Sequence, residues 1–180
     1  MKKKILILII FLLSISFLTG CNNEDNDKGK IVFKEDKTGY KVTFDNLKEM
    51  NLTDKSVNTS GPAKTLTYTS KKHDIEITMN YKEHDTQTFD TTKKVRKSHK
   101  YFGEYKFGKY KAYSYGNNDN SLNVLILLDK KYKGNEILLN VSINRIDTDK
   151  SIIVKEVFDK EEVQNFFKTI KYRVEKTTVK

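Results

Sequence analysis

The chain has 180 residues, with 34 Lys and Arg against 24 Asp and Glu for a formal charge of +10, and it contains one Pro, one Cys and no Trp. This length suits one domain, and a lone Cys excludes an intrachain disulfide framework and a multi-cysteine zinc site. Ten Tyr and ten Phe exclude wholesale disorder and predict a folded core.

Met1-Lys2-Lys3-Lys4 is a positive n-region, and Ile5 to Leu18 is a run of 14 residues in which only Ser14 and Ser16 are polar. The run is short for a membrane span, which needs about 20 apolar residues, and fits the h-region of an export signal. Leu18-Thr19-Gly20-Cys21 comes directly after it. It resembles the lipobox of bacterial lipoproteins, in which a Leu three places back and small residues precede a Cys; Thr19 stands where Ala or Ser is commonest. The resemblance implies a diacylglyceryl thioether on Cys21 and cleavage between Gly20 and Cys21. Two acyl chains, at about 0.8 kcal/mol per buried methylene, then anchor the protein to the outer face of the cell membrane. Loss of residues 1–20 removes three Lys and no acid, leaving 160 residues and a charge of +7. Asn22 to Lys30 holds no apolar residue and reads as a tether, because it has nothing to bury. The predicted organisation is a leader over 1–20, a tether over 21–30 and a single domain over 31–180, its folded part starting near Ile31 or Tyr40.

Alternation dominates the chain from Tyr40 onward. Tyr40, Val42 and Phe44 share a face, as do Leu66 and Tyr68, and Ile75, Ile77, Met79 and Tyr81 face one way with Glu76, Thr78 and Asn80 opposite. Period-2 runs rich in β-branched and aromatic residues predict half-buried strands, with 70–73 as a hairpin loop between two of them. Asp90 to Lys100 reads as a weak helix or an exposed crossover. Glu104 to Phe107 and Tyr110 to Tyr115 then form a hairpin around Gly108-Lys109, where Gly at the first central position suits a type II′ turn. Leu122 to Leu128 is apolar on both faces, as in a central strand covered twice, and Ile137 to Ile143 alternates again. Ser151 to Val157 fits strand or helix equally. Val163, Phe166, Phe167 and Ile170 make one helical stripe, with Asp159 as expected N-cap and Glu162 three residues on.

Short connections between strands favour antiparallel pairing. The predicted fold is therefore α+β: a single antiparallel sheet of six to seven strands with a C-terminal amphipathic helix and a weaker middle helix packed on it. The hairpin 105–113, the strands 122–129 and 136–143 and the ending 159–170 resemble the Mog1/PsbP-like fold of small exported lipoproteins. That resemblance implies binding or small-ligand roles more often than catalysis.

Of the 34 basic residues 31 are Lys, and the three Arg are Arg96, Arg145 and Arg173. Nucleic-acid readers lean on Arg for bidentate contacts, and these Lys are spread along the chain, so no nucleic-acid partner is expected. A mild attraction to anionic lipids or wall polymers follows from the charge alone.

Catalytic chemistry has little to start from. His73-Asp74 and Glu83-His84-Asp85 are the places where His adjoins carboxylates, and His99 sits in a basic stretch; a metal or catalytic site needs several such groups to converge. Ser60 lacks a nucleophile-elbow context, and Asn117 to Asn120 lacks the calcium loop ending in Glu. No catalytic residue, metal or cofactor is expected. The alternative reading is an envelope hydrolase in which His73, His84 and an acid meet. Within the aromatic cluster 101–115, Lys111, Tyr113 and Tyr115 share one face of a strand. They are candidate contact residues for a protein or small-ligand partner, since Tyr supplies area with a polar handle; the alternative, which the pattern favours, is that alternate rings of the cluster are sheet core and the others cross-strand pairs.

Overall fold

The alternating runs pair into two antiparallel sheets. The computed structural model describes residues 29–35, 39–58, 65–84, 88–132 and 135–175. In chain order the elements are β1 (Lys30–Glu35), β2 (Tyr40–Asp45), β3 (Leu52–Asn58), β4 (Thr65–Ser70), β5 (Ile75–His84), α1 (Phe89–Arg96), β6 (Gly103–Phe107), β7 (Tyr110–Tyr115), β8 (Ser121–Tyr132), β9 (Asn135–Arg145), α2 (Val154–Phe158), α3 (Glu161–Lys168) and β10 (Lys171–Val174). The larger sheet runs β3-β4-β5-β9-β8-β7-β6 and the smaller β1-β2-β10.

The α+β class thus holds, with strands predominating, but the expectation of one sheet does not. The predicted strand at Tyr40 belongs to the second sheet, where Ile31↔Phe44 and Tyr172↔Val42 pair on either side of it. Strand β1 is the chain neighbour of β2, but β10 comes from far along the chain, so no local pattern announces that edge of the second sheet.

The main core lies between the two sheets. Ile75, Ile77 and Met79 of β5, Val141 and Ile143 of β9, and Leu122, Val124 and Ile126 of β8 meet Phe33, Val42 and Phe44 of the small sheet and the stripe of α3. Val163, Phe166 and Phe167 are all fully buried, as the helical spacing requires. The helix begins one residue later than expected: Lys160 is its N-cap and makes no side-chain cap bond. Asp159 instead ends α2, accepting from Lys155 Nζ and, at 3.0 Å, from Tyr105 Oη. The ambiguous segment before it resolves as α2, whose Val154, Val157 and Phe158 enter the same core.

The second face of β8 is also covered. Leu125 and Leu127 pack with Leu138, Phe89 and Tyr113 in a separate cluster beneath α1, so the doubly apolar strand is buried on both sides, as its sequence predicts. Helix α1 is short and carries only Phe89 inward. Thr88 caps it by accepting from Thr91 N at 3.2 Å, and Lys93 Nζ meets Glu104 Oε2 at 2.6 Å across to β6. The β6–β7 turn is of the expected type: Gly108 has φ +58°, while Lys109 stays at negative φ, the combination of a type II′ hairpin.

Candidate functional site

Strand β7 alternates Tyr110, Ala112 and Ser114 toward the main core with Lys111, Tyr113 and Tyr115 toward α1. Of the three expected contact residues only Lys111 is exposed. Tyr113 is 0% exposed. Its ring lies 5.0 Å from Phe89 of α1, 6.0 Å from Phe102 and 5.8 Å from Tyr115. Tyr113 is therefore core rather than display, because α1 closes over a face that the strand pattern alone leaves open. Tyr115 is half-buried at the margin of the same cluster. The Arg96 guanidinium stacks over it at 4.9 Å, and His99 meets it edge-on at 5.5 Å. Burial pushes both tyrosine hydroxyls above their usual pKa, so neither ionises near neutrality.

The histidines are not assembled into a reacting group. His73 lies two residues before the start of β5 and His84 ends it. A ten-residue strand rising about 3.3 Å per residue keeps them roughly 30 Å apart, far beyond proton-transfer reach. His99 lies beneath the end of α1, 3.4 Å from Arg96 Nη1. Among the described residues no cluster of three His, Cys, Asp or Glu could hold a metal ion. The loop 117–120 is held by its own polar side chains. Asn118 Oδ1 accepts from Asn120 N at 3.1 Å and Ser121 Oγ at 2.9 Å, and Asp119 accepts from Lys100 and Tyr101. Ser60, like Gly20 and Cys21, lies outside the described residues.

His73 has a structural task. Its ring is 4% exposed, and its Nε2 donates to the Glu49 carbonyl at 3.1 Å, tying the β4–β5 turn to the segment after β2. Burial lowers its pKa below 6.5. The Glu49 carbonyl and Glu162, 4.0 Å away, oppose that fall, while Lys72 and Lys160 reinforce it. A depressed folded value means the unfolded chain takes up the proton first. The stability from the neutral ring is thus present above 6.5 and lost as pH falls through 6.5 toward the folded value. Urea midpoints of the wild type should drop from about pH 7.5 to about pH 5.5 more steeply than those of His73→Gln. Equal slopes would remove His73 as the source.

One concave surface among the described residues draws on several elements at once. A cleft of about 590 Å³ opens where β10 of the small sheet meets β7 and β8 of the large one. Lys109, Lys111, Lys130 and Arg173 line it, together with Asp129 and Tyr172. Tyr110 Oη fixes the junction by accepting from Tyr172 N at 2.9 Å. Arg173 shares one carboxylate, Glu175, with Lys34 and Lys41, at 2.6, 3.0 and 3.4 Å. Three cations hold the Glu175 carboxyl down at about 2, with Lys34 the largest influence. Lys109, Lys111 and Lys130 are exposed and make no ion pair with a described carboxylate. Lys109 and Lys111 sit two residues apart in the β6–β7 hairpin, the β7–β8 pairing brings Lys130 beside them, and the β10 pairing with β2 adds Arg173.

No protein-family model, curated protein or solved structure matches the chain.

Proposed function

We propose that the chain is an exported lipoprotein, fixed by a diacylglyceryl group on Cys21 to the outer face of the cell membrane, whose domain is a non-enzymatic binding or accessory module. The observation that carries this reading is the ordered series at the amino terminus: three lysines, a 14-residue apolar run and Leu18-Thr19-Gly20-Cys21. The single Cys of the chain stands at the position that lipidation uses, at the head of a polar stretch that leads to β1. An antiparallel sheet with α1 on one face and α2 and α3 on the other supports kinship with the Mog1/PsbP-like fold. The separation of His73 from His84 along β5 weighs against the hydrolase alternative. What the domain offers a partner is surface, and a basic cleft beside β10 is part of it.

The test is the fate of Cys21. In its native host the wild type should sediment with membranes and carry a diacylglyceryl mass on a processed amino terminus, whereas Cys21→Ala should remain unmodified at that position and uncleaved. Native protein with a bare thiol and the leader still attached would end the reading.

A further inference from the structure

We propose that the cleft between β10 and the β7–β8 strands is a docking site for the phosphate headgroup of anionic phospholipid in the leaflet that anchors the protein. The inference rests on the lipoprotein reading for the location of the leaflet, and on the cleft for the rest.

Charge is the first observation. Lys109, Lys111, Lys130 and Arg173 line one concavity whose own lining holds a single carboxylate, Asp129, and Arg173 is also paired with Glu175 beside it. A predominantly basic lining suits a phosphodiester, which brings one negative charge and several acceptor oxygens. The lining is not uniformly polar. Tyr172 and the exposed Val174 contribute to it, which gives the glycerol carbons of a lipid a place that a free phosphate would leave empty. Lysines near an anionic membrane surface each contribute about 1 kcal/mol of attraction.

Position is the second observation. Cys21 is separated from Gly29, the first described residue, by a stretch that spans at most about 28 Å when fully extended. At the other end of that stretch, Lys30 pairs with Asp45 while Arg173 pairs with Lys41 on the opposite side of β2. Two strand spacings across and four residues along place the two backbones about 17 Å apart. The β6–β7 turn bearing Lys109 comes to the same region, where the Lys168 carbonyl lies 3.8 Å from the point a Cβ on Gly108 would occupy. Lys168 and Lys171 are both exposed there. A domain held on so short a leash keeps its cleft within range of the headgroups, and a site near an anchor needs little intrinsic affinity because tethering raises the local concentration.

The experiment uses the unlipidated chain 22–180, which retains every core residue of both clusters. Its binding is measured by co-sedimentation with vesicles of phosphatidylcholine alone and of phosphatidylcholine mixed with phosphatidylglycerol. Two variants carry the same change in net charge: Lys109→Glu/Lys111→Glu/Lys130→Glu in the cleft, and Lys71→Glu/Lys94→Glu/Lys97→Glu at exposed positions away from it. Matching melting curves by circular dichroism qualify each variant. The proposal expects binding to the mixed vesicles only, weakened at least about tenfold by the cleft variant and much less by the control. It is overturned if the wild type ignores phosphatidylglycerol, or if both variants lose binding equally, which would reduce the effect to net charge. It is also overturned if soluble glycerol phosphate occupies the cleft as tightly as the vesicles do. Because no lipid is attached to the protein in these assays, their failure leaves the Cys21 mass measurement untouched, and a bare Cys21 leaves the vesicle result standing.

Discussion

Phe167→Ala should cost about 3–5 kcal/mol of folding free energy and lower the melting temperature by on the order of 10 °C. Phe167 is fully buried and touches rings from every layer of the main core. Phe44 of the small sheet lies at 6.2 Å, Phe107 of the large sheet at 5.2 Å, Phe158 of α2 at 5.4 Å and Phe166 of its own helix at 5.3 Å. Truncation leaves a void bounded by elements that hydrogen-bond in separate sheets and so cannot close on it together. Phe167→Leu, which keeps much of the volume, should recover more than half of the loss. Denaturant melts of the three proteins provide the check. Equal losses for Ala and Leu would mean that ring stacking, rather than filled space, is what holds the two sheets together.

Tyr113 should behave in two opposite ways depending on what is removed. Tyr113→Ala empties the cluster beneath α1 and should cost about 3–5 kcal/mol, with α1 loosened because Phe89 loses its ring contact at 5.0 Å. Tyr113→Phe removes only the hydroxyl, which is buried without a hydrogen-bond partner among the described residues, the Thr92 side chain standing close by but out of bonding geometry. Deleting an unsatisfied buried hydroxyl is neutral or stabilising by about 1 kcal/mol. A small loss in the Ala variant would return Tyr113 to the surface role that its place on the strand suggests. A clear loss in the Phe variant would show that the hydroxyl is bonded in solution.

The places where sequence pattern and structure agree are those where burial leaves a local imprint. The β5 run from Ile75 to Tyr81 alternates because one face is core, β8 is apolar throughout because both faces are, and the stripe of α3 follows from one-sided packing. In the second sheet β2 carries such an imprint in Tyr40, Val42 and Phe44, and β10 carries none. Strand β10 is only Lys171 to Val174, with one half-buried tyrosine, and it exists because β2 offers an edge to it. Burial of Tyr113 escapes the pattern for a related reason: the helix that covers it buries one apolar side chain, too few to reveal an inward face. The basic cleft is invisible for the same cause, since its cations come from the β6–β7 turn, from β7, from β8 and from β10. Asp159 has the residue type and spacing of a cap, yet Lys155 and Tyr105 claim its carboxylate.

The pairing of β2 with both β1 and β10 has a temporal consequence. Strand β1 can fold back on β2 as soon as the two have been made, since they are neighbours in the chain. The other edge of β2 must wait for Lys171 to Val174, the last strand among the described residues, and closing so long a loop is slow. A chain made amino terminus first therefore leaves that edge uncovered until β10 exists, open to strand addition by a neighbour. Strand β10 acts as a clasp that ends this vulnerable interval.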